Sequence, residues 1–209
     1  MSPILLYAAA TLLYAALAFH FWRTRWREPG PASIEPWERW AIVAPLVIHG
    51  WLVYQALLAP ELRFGFGLAL SIMLWLTVLL YWIESLFFRL EGMQPLVLGL
   101  AAVCVPLPLV FPGLAVQAPT QSLEFRLHLM LGMSAYSLFT VAALHALLMT
   151  LLERRLHGGA LSAPFSALPP LLTMESLLFR IIFAGFVLLT LTLATGFLFS
   201  EDLFGRPLR

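Results

Sequence analysis

Five histidines, His20, His49, His128, His145 and His157, are the residues of this chain best suited to chemistry. Neutral imidazole is the commonest metal ligand and a usual axial ligand of haem iron. His49, His128 and His145 fall in apolar runs, where a polar ring without a partner is penalised. No HExxH motif, Gly-rich phosphate loop or Ser/His/Asp spacing accompanies them, so no residues carry hydrolytic or phosphoryl-transfer chemistry and no enzyme is expected. A single cysteine, Cys104, excludes a disulfide framework, a CxxC redox pair and a thiolate zinc cluster.

The elements that hold these histidines follow from composition. Of 209 residues, 61% are hydrophobic and 11% charged, against about 45–50% and roughly 25% in soluble domains. Such a chain needs a lipid bilayer. The expected fold is all-α, a polytopic bundle of six transmembrane helices forming one domain over 1–209. A span of roughly 20 apolar residues crosses a hydrocarbon core of about 30 Å, and six runs qualify, near 3–22, 41–59, 64–83, 95–111, 127–152 and 177–199. The fourth contains Pro106 and Pro108 and is expected to be kinked or re-entrant. The start, Met1-Ser2-Pro3, lacks the basic region of a signal peptide, so the first run is read as a retained helix.

Positive charge orients the bundle. Arg23, Arg25, Arg27 and Arg39 lie in the first loop, Arg89 in the third, and Arg154 and Arg155 in the fifth, which predicts an outside (periplasmic) N-terminus. The fourth loop, 112–126, reads as an amphipathic lid on the outer surface, and the fifth, 153–176, as a Gly- and Pro-bearing cytoplasmic linker. The 12 basic residues are balanced by 11 acids, giving a net charge of +1. That leaves no basic face for phosphates, so nucleic acid is not an expected partner.

Depth then sorts the histidines. His49 lies about eight residues, roughly 12 Å, from the cytoplasmic end of its span, at a depth similar to His145. His128 begins the fifth span on the outer side, about 17 residues or roughly 25 Å from His145, so one iron cannot take both. Each has a plainer reading. His49 hydrogen-bonds to a neighbouring helix through a group such as Thr77 or Tyr81, His128 is a wet interfacial ring, and His145 packs against another span. His20 and His157 sit beside Arg-rich segments, where solvation explains them. The tryptophans cluster near span ends, as aromatic belts do. Gly65 and Gly67 would permit close helix contact, and Glu84 and Glu175 read as solvated carboxylates.

The fifth run, His128-Leu-Met-Leu-Gly-Met-Ser134-Ala-Tyr136, resembles the H-x5-S-Y segment of the cytochrome c assembly membrane proteins, the haem-handling family that includes CcsA and HemX. The stretch Phe179-Arg180-Ile-Ile-Phe-Ala-Gly185-Phe186-Val-Leu-Leu189-Thr190, ending at Gly196, is similar to the family's Y/F-R-x4-G-F/V-x-L-L-T helix. Its Pro-Pro and Leu-Thr-Leu-Thr-Leu pattern resembles most the YpjD-type branch of inner membrane proteins. The likeness covers residues from about Leu123 to Gly196. Before that, the span pattern and His49 correspond.

The resemblance implies a haem-binding protein of c-type cytochrome assembly or haem handling in a bacterial inner membrane. Its cofactor would be b-type haem, with His128 matching the family's external histidine and His49 an early-span histidine. Other cytochrome c assembly proteins are the implied partners. The Trp-rich WxWD loop that CcsA carries after this helix has no counterpart in Ser200–Arg209, which argues against synthase activity. The family pattern continues into helices with partner histidines, so the resemblance implies a shortened eight-helix member or ligands supplied by a partner. The competing reading is a structural or regulatory membrane subunit without haem, such as one attached to a transporter.

Overall fold

The structure, a computed structural model, describes residues 3–27, 35–59, 61–88, 90–116, 122–157 and 171–198. It is an all-α bundle. Helix α1 (Pro3–Phe21) continues into a π-helical turn, Trp22–Arg27. Next come α2 (Pro36–Ala41) with α3 (Val43–Leu57), α4 (Phe66–Ser85), α5 (Gln94–Cys104) with α6 (Leu107–Val110), α7 (Leu123–His157) and α8 (Leu171–Leu198). Five stretches are long and apolar enough to cross a membrane: Pro3–Arg27, Trp37–Leu57, Phe66–Ser85, Glu124–Arg154 and Leu172–Leu198. Lipid offers the backbone no hydrogen bonds, so apolar runs of this length close their polar groups within helices.

The sixth apolar segment, Gln94–Val110, is shorter. Its 11-residue α5 rises roughly 16 Å, about half a hydrocarbon core. Pro106 and Pro108 explain the break. Neither supplies an N–H, and the chain restarts as the four-residue α6, with Pro106 as its N-cap. This unit is held by packing of α5 against α1 and α4 and of α6 against α4. A Cβ on Gly67 would lie 2.7 Å from the carbonyl oxygens of Leu107 and Phe111, so only glycine lets α4 start this close to α6.

The departure from pure helix lies beside that contact. Strands β1 (Arg63–Phe64) and β2 (Leu114–Ala115) pair antiparallel, with Arg63 opposite Ala115 and Phe64 opposite Leu114. Gly113 turns the chain at φ +72°, a conformation glycine adopts without penalty. The expected lid at 112–126 therefore begins as a strand and ends in the first turn of α7, while 117–121 lie outside the described residues. The fifth loop is shorter than expected on both sides: α7 runs on to His157 and α8 starts at Leu171. Residues 158–170 lie outside the described residues, as do 199–209 and the side chain of His157.

The main core joins α1, α4, α5 and α7 around Tyr14, Tyr81, Met93, Leu98, Val141 and Leu148. Tryptophans do more here than line a belt. The Trp75 indole donates to the Leu46 carbonyl (3.0 Å), Trp82 to Arg39 (3.2 Å) and Trp26 to Gly92 (3.1 Å), each joining two elements. The Ser137 hydroxyl, 2.6 Å from its own Met133 carbonyl, shares its proton with the Met73 carbonyl at 3.0 Å and so sets α7 level with α4 at this point. Helix α8 packs on α7 and gives Met174, Leu177 and Ile181 to the core. It leaves Phe179, Phe183, Phe186 and Phe197 exposed, an apolar surface suited to lipid.

Candidate functional site

His49 is completely buried on α3. Its Nε2 lies 2.9 Å from Ser71 Oγ on α4. The Tyr14 ring of α1 meets it edge-on, centroids 5.8 Å apart. Nδ1 is enclosed and has no hydrogen-bond partner among the described residues; the same holds for the Tyr14 hydroxyl. The interhelical bond expected of this ring thus forms to Ser71 rather than to Thr77 or Tyr81. Thr77 bonds back to the Met73 carbonyl (2.7 Å) and the Tyr81 hydroxyl donates to Leu90 O (3.2 Å).

The next residue, Gly50, explains how α3 and α4 approach so closely. A Cβ there would lie 2.8 Å from Trp75 Nε1, so the glycine is the floor on which the indole rests. Beyond this contact an apolar groove of about 280 Å³ opens between α3, α4 and α7, lined by Gly50, Val53, Trp75, Phe125, Leu129 and others, with Arg126 the charged residue of its wall. Neither His49 nor His128 lines it.

His128 occupies different surroundings. It lies in the second turn of α7, part-buried, and its Nδ1 is 3.1 Å from Thr195 Oγ1 on α8. A Cβ on Gly196 would come within 3.2 Å of His128 Cε1, so the ring packs closely against the glycine. Nε2 makes no hydrogen bond among the described residues. This is the nitrogen a metal would use, and the residues fit an axial imidazole in that respect. His49 fits less readily, because its Nε2 is engaged and only the enclosed Nδ1 remains.

The two candidate ligands are not brought together. Ser137 of α7 is level with Met73 of α4. His128 precedes Ser137 by nine residues and Ser71 precedes Met73 by two, a difference of roughly 10 Å in depth. They also lean on different helices, His49 on α4 and α1, His128 on α8. Among the described residues no group of three or more His, Cys, Asp or Glu is placed to hold a metal ion.

His145 and His20 are occupied structurally. His145 is buried in α7 with Nδ1 on its own Val141 carbonyl (3.1 Å) and Nε2 enclosed without a partner among the described residues. His20, expected to be solvated, instead places Nε2 3.0 Å from Oε1 of Glu38, a buried carboxylate that also pairs with Arg25. Glu84, also expected in solvent, has Oε2 enclosed and without a partner among the described residues. Sequence reasoning missed Ser71, Tyr14 and Thr195. Only Thr195 had a signal, its place beside Gly196 in the last apolar run.

Comparison with known proteins bears out the family resemblance read from the sequence. Three curated relatives align, each 28% identical over 178 residues: the Inner membrane protein YpjD of Escherichia coli strain K12 and its counterparts in strains O6:H1 and O157:H7. The alignment covers 80% of this chain and 66% of each relative, so the chain spans slightly under two thirds of their length. No solved structure matches. Residues 40–208 match the Cytochrome C assembly protein family, and the chain, a multi-pass membrane protein, belongs to that family.

Proposed function

We propose that this protein is a non-catalytic haem-binding component of c-type cytochrome assembly or haem handling in a bacterial inner membrane. His128 is its outer ligand for b-type haem and His49 a second, interior one. The observation that carries this reading is the convergence at His128. The H-x5-S-Y segment of α7 and the Thr-Gly end of α8, 67 residues apart in sequence, meet at this one ring. Family membership supports a role in haem handling or cytochrome maturation, and the relatives, named as inner membrane proteins, support the inner membrane.

Bound haem would supply the redox and transfer chemistry. The chain's own residues bind and orient. His128 offers Nε2 from a part-buried position near one end of the bundle. His49 offers Nδ1 as it stands, or Nε2 once its bond to Ser71 opens. With six arginines on the first and fifth loops against the opposite end, His128 would face the periplasm and the N-terminus would lie outside. Haem delivered to or taken from that side would meet His128 first, and other cytochrome c assembly proteins would be the natural donors and acceptors.

A second reading has one observation in its favour. The Ser71 bond is what a purely structural interhelical histidine would make, so His49 alone is equally at home in a scaffold or regulatory subunit without haem. Purification in detergent from haem-replete cells separates the two. The expected result is a Soret band that survives washing, lost in His128→Ala and reduced in His49→Ala. A colourless wild-type protein would overturn the haem reading. A full band in His128→Ala, with loss in His49→Ala, would move the ligand to the interior.

A further inference from the structure

We infer that Thr195 is a positioning residue for His128: it holds the ring as the Nδ1–H tautomer and so leaves the Nε2 lone pair to a metal. The inference rests on the reading of His128 as a haem ligand, but the proton placement stands on geometry that needs no haem.

A threonine hydroxyl has one proton to give and two lone pairs to offer. Thr195 Oγ1 donates that proton to the Thr192 carbonyl at 2.9 Å. The same oxygen lies 3.1 Å from His128 Nδ1. With its proton committed, the oxygen can only accept, so the hydrogen in the second contact belongs to Nδ1. A neutral imidazole has a single N–H. Nε2 is therefore the bare nitrogen, and it has no hydrogen bond among the described residues.

The commitment of the hydroxyl follows from its setting. In an apolar helix, serine and threonine satisfy their proton on a carbonyl one turn back. Thr190 does so to Phe186 (2.9 Å) and Thr192 to Leu188 (2.8 Å). Thr195 follows its neighbours in this and differs in what its oxygen faces. Gly196 completes the seat. A Cβ there would lie 3.2 Å from Cε1 and 3.7 Å from Nδ1, so even a methyl would press on the ring and shift it by a few tenths of an ångström. A hydrogen bond on the far nitrogen of a metal-bound imidazole fixes tautomer and orientation and raises basicity, and loss of such a partner typically weakens metal affinity about 10–100-fold.

The test begins without haem. Protein labelled with ¹⁵N-histidine is recorded in detergent at alkaline pH, where an ordinary imidazole is neutral, and His128→Gln identifies the resonances. Wild type and Thr195→Ser should show Nδ1 carrying the proton and Nε2 as a pyridine-type nitrogen, while Thr195→Val should lose that preference. Titration of hemin into the same proteins should then show about 10–100-fold weaker binding for Thr195→Val and near-normal binding for Thr195→Ser.

A wild-type His128 protonated at Nε2 overturns the inference whatever the Thr195 variants do. So does a Thr195→Val protein whose tautomer matches the wild type. If the tautomers come out as expected but even wild type takes up no hemin, Thr195 still positions His128 and it is the haem reading that fails.

Discussion

The surroundings of His49 and His128 differ in which ring nitrogen the protein occupies. Around His49 the bundle closes: Tyr14 covers one edge, Ser71 holds Nε2, and Nδ1 is sealed in. Around His128 the protein holds Nδ1 and leaves Nε2 without a hydrogen bond among the described residues. Depth in an apolar run makes a histidine conspicuous in sequence, because its polar atoms must be answered there. The deeper ring has been answered by a helix. The shallower one keeps Nε2 without a hydrogen bond among the described residues, so burial marks His49 as a packing element first, while the orientation of His128 suits the ligand role proposed for it.

Stability measurements can break this comparison. His49→Ala removes a completely buried ring from the junction of α1, α3 and α4, and large-to-small changes in a core cost about 2–5 kcal/mol. The expected loss, about 2–3 kcal/mol by unfolding in mixed detergent micelles, should exceed that of His128→Ala clearly; equal losses would mean the two rings are packed alike. Gly50→Ala should follow. Its methyl would meet the Trp75 indole at 2.8 Å, and overpacking of this kind costs about 1–3 kcal/mol. Displacement of Trp75 from the Leu46 carbonyl should appear as a shift in its fluorescence, and an unchanged spectrum would deny the clamp.

Ser71→Ala is the gentler test of the same region. It leaves both nitrogens of His49 without a hydrogen bond among the described residues. Interhelical polar contacts in membrane proteins couple by about 0.6 kcal/mol on average and up to about 1.7. A double-mutant cycle of Ser71→Ala with His49→Leu should return a coupling in that range. A coupling near zero would leave the ring held by packing alone, and His49 Nε2 would then be as open to a ligand as that of His128.

Much of this arrangement was legible before any fold was known. The long apolar runs predicted the helices, because lipid leaves a backbone few alternatives. Pro106 and Pro108 predicted the break between α5 and α6 for the equally local reason that proline supplies no N–H. The motif around His128 pointed to the ring that faces the end of α8. What stayed hidden depends on which faces of distant helices meet. Nothing in an apolar heptad distinguishes Ser71, which meets His49, from Thr77, which turns back on its own helix. The pairing of β1 with β2 joins segments 50 residues apart through two residues each, too short to leave an alternating pattern. Glu38 lies in an Arg-rich stretch of sequence, and only the fold brings His20 and Arg25 onto it.

The smallest expected effect on stability is the most informative about His128. Gly196→Ala adds a methyl 3.2 Å from Cε1, a contact that a few tenths of an ångström of ring movement relieves. In a part-buried site that movement should cost less than about 1 kcal/mol, within the range of ordinary surface substitutions plus slight strain. The same movement lengthens the 3.1 Å contact between Nδ1 and Thr195, which is already near the outer limit of a good hydrogen bond. Unfolding should therefore report almost nothing, while the Soret band of haem-loaded protein shifts or broadens as the imidazole tilts. A variant with unchanged stability and an unchanged band would mean that the ring is not seated on α8, and the distinction drawn between the two histidines would lose its structural basis.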